Sequence, residues 1–116
     1  MAMTLDEISH IRYRQIVEDQ TELVCRYSPQ MLITFANHAY CQAYGLSPDE
    51  IIGKPFFTKI PEEEHEMVRQ YIASLTKENP VAVTTHRTIL ADGRIRWIEW
   101  KDRVLLDDDG NIIEYQ

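Results

Sequence analysis

The chain lacks the sequence features that are typical of several classes of protein. Its 116 residues include only two cysteines, Cys25 and Cys41, too few for the disulfide framework of a small secreted domain. No apolar run approaches the roughly 20 residues that a membrane-spanning helix needs. The first residues also do not have the basic and then apolar pattern of a secretory signal. We therefore expect a cytoplasmic domain with one core and no membrane contact.

Positive charge is scarce as well. Lys and Arg number 12 against 19 Asp and Glu, which gives a formal net charge of −7. Nucleic-acid binding depends on Lys and Arg that neutralise phosphates, so we expect no nucleic-acid partner. GxSxG, HExxH, P-loop and GxGxxG motifs are missing, and the spacing of the histidines fits no zinc site. The sequence therefore predicts a protein without catalytic activity.

The last third of the chain has a clear strand pattern. Acidic turns at residues 92–93 and 107–111 bracket a strand-like stretch, 94–106, that carries both tryptophans. Gly, Asn and Asp tolerate the positive φ values that a tight hairpin needs. The pattern predicts an antiparallel meander of three strands that ends the chain.

The first residues predict an amphipathic helix. Residues 4–7 form a capping box, with an acceptor hydroxyl at the cap and Glu three positions later. The apolar stripe that follows is too narrow for a core helix. We therefore divide the chain into a flanking helix over 1–22 and a domain over 23–116. The stripe includes Leu5, Ile8 and Ile16.

Two strands and several helices come next in the sequence. Strands are predicted at 23–27 and 31–36, and Asn37 is placed to cap a short helix that Gly45 ends. A second capping box begins at Ser47, and Pro61 opens a longer helix. The order of elements predicts an α+β domain with an antiparallel sheet covered by helices on one face. The predicted buried stripe of the longer helix is Met67, Val68, Tyr71, Ile72 and Leu75.

The strand at 94–106 has two different faces. Successive side chains point to opposite sides of a sheet, so its even positions form an apolar face that can pack on the helices. Ile95 and Trp97 then lie on the outer face, as an apolar patch that needs a cover. We expect the amino-terminal helix to pack there, within one chain or across a dimer. The even positions are Ile98, Trp100, Val104 and Leu106.

Residues 33–54, 92–99 and 109–113 together resemble PAS domains of the PAS/PAC type, found in bacterial signal-transduction proteins. The resemblance extends over 13–116 and implies a five-stranded sheet in the order 2-1-5-4-3, with a cavity between sheet and helices. Residues 29–31 read Pro-Gln-Met where the family usually has Pro-Asp-Gly. The family's Asp-Ile-Thr-like end is also missing, which suggests a fragment of a longer protein.

The same resemblance predicts a site for a small ligand in the cavity. It places Thr84, His86 and Thr88 on the inner face of their strand, as a polar wall in an apolar pocket. A filled core, with His86 hydrogen-bonded to a neighbour, is the alternative. The residues expected opposite this wall are Phe35, Tyr40, Phe57, Val68, Ile72 and Trp100.

The resemblance draws attention to two cofactors, haem and flavin. His65, followed by Glu66, resembles the position of the proximal ligand in haem-binding PAS domains, but the position of their distal Arg falls near Thr84. The flavin-binding branch uses a reactive Cys after the second short helix, where this chain has Lys-Pro-Phe-Phe at 54–57. We expect no cofactor, with haem or a small metabolite as the possibilities left open.

The resemblance implies a sensory module that passes a conformational change to an effector domain, such as a histidine kinase or a diguanylate cyclase. A homodimer is the expected assembly. Two alternatives remain: a dimerisation module without a ligand, and a haem-based gas or redox sensor that uses His65.

Overall fold

A computed structural model describes residues 22–116. The predicted amino-terminal helix, with Leu5, Ile8 and Ile16, lies outside these residues, and the division of the chain at residue 22 stays a prediction. The elements in chain order are β1 (Cys25–Tyr27), β2 (Ile33–Ala36), α1 (His38–Tyr44), α2 (Pro48–Ile51), 3-10 helices at Phe56–Lys59 and Glu62–Glu64, α3 (His65–Ala73), β3 (Val81–Ile89), β4 (Ile95–Leu106) and β5 (Ile112–Tyr115).

The five strands form one antiparallel sheet in the order β2-β1-β5-β4-β3, which confirms the predicted fold. The β3–β4 hairpin is the most regular part, with continuous pairing from Val81↔Arg103 to Ile89↔Ile95. The centre of the sheet is less complete. β5 pairs with β1 only through Tyr27↔Tyr115. We call the face that meets the helices the inner face, and the opposite one the outer face.

A groove separates β1 from part of β4. Arg103 exchanges both backbone hydrogen bonds with Gln116, each 2.8 Å long. Before Arg103, no strand within residues 22–116 pairs with this edge of β4. The space between the two strands is a groove of about 830 Å³, which Leu23 and Cys25 line on one side and Trp100 and Asp102 on the other.

Asn37 joins the first strand to the first helix. Its side-chain oxygen accepts hydrogen bonds from the backbone N–H groups of Tyr40, at 2.9 Å, and Val24, at 3.1 Å. Its side-chain N–H donates to the carbonyl of Glu22 at 2.8 Å. Asn37 is completely buried, at 0% exposure, so it both caps α1 and holds the chain that leads into β1.

The turn between β1 and β2 shows how this chain departs from the family's usual turn. Met31 has a φ of 67°, in the left-handed region that glycine adopts most readily. Its N–H donates to the carbonyl of Ser28 at 2.8 Å, which closes the turn. Residues 31 and 32, expected to be in the strand, therefore belong to the turn region, and β2 begins at Ile33.

A β-bulge changes the predicted position of Phe35. Tyr27 pairs with Ile33 and Arg26 pairs with Phe35, so Thr34 is the extra residue of the bulge. Phe35 consequently shares the outer face with Arg26, whose guanidinium lies 5.8 Å from the centre of its ring. The predicted ligand site had placed Phe35 on the inner face, opposite the polar wall.

Two other residues predicted to be buried are exposed. Leu106, at 39% exposure, follows a shift of register between Leu105 and Leu106, which interrupts the alternation of β4. Met67 is 45% exposed because the buried stripe of α3 runs through Val68 and Ile72, and Met67 lies at its side.

The core consists of two apolar clusters on the inner face. One is formed by α3, the preceding 3-10 helix and the carboxyl-terminal strands, the other by α1, α2 and β2. The first cluster contains Tyr27, Phe57, Ile60, Val68, Ile72, Leu75, Val104 and Tyr115. The second contains Ile33, Ala36, Tyr40, Cys41, Tyr44 and Ile51.

Candidate functional site

A cavity of about 40 Å³ lies between the two clusters. Its volume is well below the roughly 300–1,000 Å³ of a pocket for a drug-sized ligand, and it suits water or a molecule of a few heavy atoms. The walls come from β1, the helices and the inner faces of β3 and β4. They are Cys25, Tyr27, Tyr40, Tyr44, Phe56, Lys59, Ile60, Val68, Tyr71, Ile72, Thr84, His86, Thr88, Trp100 and Asp102.

One end of the cavity is held by a closed set of hydrogen bonds. Thr88 is 1% exposed. Its hydroxyl donates to the carbonyl of Lys59 at 3.0 Å and bonds the hydroxyl of Tyr44 at 2.6 Å. Since the Thr88 proton goes to Lys59, the Tyr44 hydroxyl is the donor of the second bond. Burial raises the pKa of Tyr44 to about 12, so the Tyr44 hydroxyl stays uncharged near neutral pH.

His86 supplies a hydrogen-bond acceptor to the middle of the cavity. Its Nδ1 lies 3.1 Å from the carbonyl oxygen of Arg87. A carbonyl can only accept, so Nδ1 carries a proton, and Nε2 keeps a lone pair when the ring holds only this one proton. The ring stacks on that of Trp100, with the centres 6.0 Å apart.

A carboxyl group marks the other end of the cavity. Asp102 Oδ2 accepts a hydrogen bond from the Tyr27 hydroxyl at 2.5 Å, and Oδ1 accepts a longer one from the Tyr71 hydroxyl at 3.5 Å. Burial raises the pKa of the Asp102 carboxyl, and burial together with the nearby carboxylate raises the pKa of Tyr27. The cluster ties β4 to both β1 and α3.

The indole nitrogen of Trp100 is the one buried side-chain polar atom within residues 22–116 that has no hydrogen-bond partner. An unpaired buried donor costs about 1–3 kcal/mol. It is enclosed by protein atoms, so a partner could reach it only after a local shift of the cavity wall.

The structure brings most of the predicted ligand-binding residues together. Phe35 does not reach the cavity, since it lies on the outer face, and Phe57 is buried in the first cluster without lining it. Asp102 and Tyr27 were missing from the sequence prediction. Asp102 could have been found, because it is a charged residue at an even, otherwise apolar position of β4. The predicted residues that line the cavity are Tyr40, Val68, Ile72, Thr84, His86, Thr88 and Trp100.

The surroundings of His65 do not fit a haem site. Its Nε2 lies 2.7 Å from the carbonyl oxygen of Ile60, and its ring packs against Phe57 with the centres 5.2 Å apart. It does not line the cavity, which is also far too small for a porphyrin. No group of three or more His, Cys, Asp or Glu side chains within residues 22–116 is arranged to hold a metal ion.

The outer face carries an exposed apolar patch. Trp97 is 69% exposed and Ile95 is 53% exposed. Arg87 connects this patch to the start of α3, because its guanidinium lies 5.9 Å from the centre of the Trp97 ring and bonds Glu63 at 2.9 Å and Glu64 at 3.0 Å.

A five-stranded antiparallel sheet with a cavity beneath short helices is the architecture of a small sensory domain. The model of the PAS family, described as the PAS fold, matches residues 11–116. The chain therefore belongs to the PAS family, whose members are sensory modules. No helix within residues 22–116 is long and apolar enough to cross a membrane.

Known proteins agree with this assignment. The two-component sensor PprA of Pseudomonas aeruginosa is 29% identical over 108 residues, which are 93% of this chain and 12% of that protein. The chain thus spans about one-eighth of that relative. A PAS domain from Colwellia psychrerythraea has the same fold, with a TM-score of 0.84, 17% identity and coverage of 92% of this chain and 91% of the other. A PAS domain from a two-component sensor histidine kinase has a TM-score of 0.75 and 14% identity, covering 95% and 92% of the two chains.

Proposed function

We propose that this PAS domain is the sensory module of a bacterial signalling protein located in the cytoplasm. A small molecule binds in the cavity between the sheet and the helices, and the bound state changes the position of α3 relative to the sheet. The domain itself has no catalytic role. Its output is a conformational bias that an effector domain reads.

One observation supports ligand binding: the small cavity is lined by polar groups that still have hydrogen-bonding capacity. The hydroxyl of Thr84 makes no hydrogen bond within residues 22–116, and His86 keeps an acceptor nitrogen. A few polar groups in an apolar, aromatic wall are typical of small-molecule sites.

A screen of small metabolites by thermal unfolding tests the proposal. Thr84→Ile fills the cavity, whereas Thr85→Ile makes the same change on the outer face of the same strand. We expect to find a compound that stabilises both the parent chain and Thr85→Ile. The affinity of Thr84→Ile for this compound should be at least about tenfold lower. Equal binding in all three would place the ligand outside the cavity.

The ion pairs of Arg87 support a route from the cavity to the outer face. The helix α3 lines the cavity through Val68 and Ile72, and its start is held by Arg87 through Glu63 and Glu64. The same guanidinium lies over Trp97. A shift of α3 would therefore move Arg87 and change the surroundings of the Trp97 indole.

Fluorine NMR of a chain labelled with fluorotryptophan tests this relay. The ligand found in the screen should shift the Trp97 resonance, and Arg87→Gln should remove at least about half of that shift while binding is retained. The matched control is Arg96→Gln, an exposed residue of β4. A Trp97 response that is unchanged in Arg87→Gln would contradict the route.

We propose a homodimer as the assembly and a sensor kinase as the effector, with a diguanylate cyclase as the other possibility. The likeness to a two-component sensor supports the kinase. The patch at Ile95 and Trp97 supports a contact on the outer face, covered by the amino-terminal stripe of Leu5, Ile8 and Ile16. Deletion of residues 1–20 should change the oligomeric state or the Trp97 fluorescence, and the proposal fails if both stay the same.

A dimerisation module without a ligand is the second candidate, and the small volume of the cavity favours it. It predicts that Thr84→Ile stabilises the protein, because a larger side chain fills empty space, and that no compound binds. A haem sensor predicts a Soret band in the absorption spectrum, lost in His65→Ala. The surroundings of His65 argue against this third possibility.

A further inference from the structure

We infer that the cavity binds a small organic cation, with its ammonium group beside the carboxylate of Asp102. The inference rests on the proposed function, because it names the chemical class of ligand for the same cavity.

The carboxyl of Asp102 is partly buried and makes no ion pair. None of the ion pairs within residues 22–116 includes Asp102, and its two hydrogen bonds come from the neutral hydroxyls of Tyr27 and Tyr71. Removing a carboxylate from water costs several kcal/mol unless a cation or a proton compensates it. Burial raises the pKa of Asp102, while the two tyrosine hydroxyls and the nearby ring of His86 act in the opposite direction. A bound ammonium group would compensate the carboxylate more fully.

Other polar atoms on the cavity wall add acceptors. His86 offers the Nε2 lone pair, and the hydroxyl oxygens of Tyr27 and Tyr71 keep lone pairs after donating to Asp102. The indole N–H of Trp100 is an unpaired donor, but it is enclosed by protein atoms. The accessible wall therefore favours a ligand rich in N–H donors.

The side chains beside Asp102 also suit a cation. Tyr27 and Phe56 are both in the cavity wall, with ring centres 4.7 Å apart. Aromatic faces attract ammonium groups, and a net charge of −7 raises the local concentration of cations. Tyr27 and Asp102 line both the cavity and the open groove, so a movement of these two side chains would connect the two spaces.

Lys59 also lines the cavity. None of the ion pairs within residues 22–116 includes Lys59 or Asp102, so the lysine does not neutralise this carboxyl through an ion pair. The carbonyl of Lys59 bonds Thr88, whereas Asp102 pairs with Ala82, near the other end of β3.

Titration of the intact chain at pH 8 with methylammonium, methanol and formate, at constant ionic strength, tests the inference. Methylammonium and methanol are matched in size and differ in charge, and formate is a small anion. We expect methylammonium to give saturable amide shifts at Thr84, His86 and Tyr71, with an affinity at least about tenfold above that of methanol. Formate should give no saturable shifts, because Asp102 repels it.

Asp102→Asn should weaken methylammonium binding at least about tenfold, and Asp108→Asn, the same change at an exposed turn residue, should leave it within about twofold. Tighter binding of methanol or formate would overturn the cationic class and leave the cavity site standing. If no probe shifts the cavity residues, the cation inference fails, whereas the metabolite screen with Thr84→Ile decides the proposed function separately. The comparison of probes in the parent chain suffices if Asp102→Asn does not fold.

Discussion

The two faces of the sheet are covered to very different degrees by the described residues. On the inner face, α3 buries Val68 and Ile72 and leaves only a small cavity with polar groups. On the outer face, Trp97 is 69% exposed and Val83 is 55% exposed. The inner face thus has a nearly complete core around one small cavity. The outer face has apolar surface that the described residues leave exposed.

Replacement of a buried side chain on the inner side should have the largest effect. Ile72→Ala should lower the free energy of unfolding by about 4 kcal/mol, because it leaves a cavity in the first cluster. Val83→Ala on the outer face should cost less than about 1 kcal/mol. Urea denaturation measures both. Similar losses at the two positions would mean that the outer face is packed as tightly as the inner one.

The next effect in size is the loss of stability at alkaline pH, where buried groups of the inner face lose their protons. Burial raises the pKa of Cys25 from 9.0 and that of Tyr44 from 10.0, each to about 12. The folded state keeps these protons after the unfolded state has released them. Stability is therefore complete below pH 9 and is lost as the pH rises towards 12.

Between pH 8 and pH 11, we expect urea denaturation to show a loss of about 4 kcal/mol from these two groups, since each unit of pKa difference is worth about 1.36 kcal/mol. Cys25→Ala should reduce the loss by about 2 to 3 kcal/mol, because the larger pKa difference belongs to the thiol. A free energy of unfolding that stays level to pH 11 would show that these two groups are exposed to solvent.

The caps of α1 and α2 allow a comparison between a buried polar residue, Asn37, and an exposed one, Ser47. Asn37→Ala should lower the free energy of unfolding by about 2 kcal/mol, because the N–H groups of Val24 and Tyr40 lose their acceptor in a buried place. Ser47→Ala removes the cap of α2, which is exposed to water, and should cost about 0.5 kcal/mol. Equal costs would contradict the special role of burial.

The smallest effect is expected at the outer patch of Ile95 and Trp97. If the amino-terminal helix covers Trp97, Trp97→Thr should lower the free energy of unfolding by about 1 kcal/mol more in the full chain than in a chain without residues 1–20. Thermal unfolding of the four proteins gives this difference. A cost that does not depend on residues 1–20 would show that this segment does not cover the patch.

The caps, the turns and the order of elements could be predicted from the sequence because each depends on local chemistry. Asn37, Gly45 and Pro48 take the positions expected of them. Phe35 and Leu106 were placed wrongly because a bulge or a shift of register breaks the alternation of a strand, and no local residue pattern marks it.

The candidate site was predicted only in part, for a related reason. The alternation of β3 left its inner side undecided, and the family resemblance selected Thr84, His86 and Thr88. Asp102 was overlooked because a charged residue is expected to face water. Its burial depends on Tyr27 and Tyr71, which come from β1 and α3 and meet it only in the folded sheet.

The most direct test of the account is a map of backbone amide shifts for the best compound of the metabolite screen. Thr84, Thr85, His86 and Arg87 alternate between the two faces along one strand. The account predicts the largest shifts at Thr84 and His86, with a smaller response at Trp97. Shifts confined to Thr85, Trp97 and their outer-face neighbours would contradict a sensing cavity on the inner face.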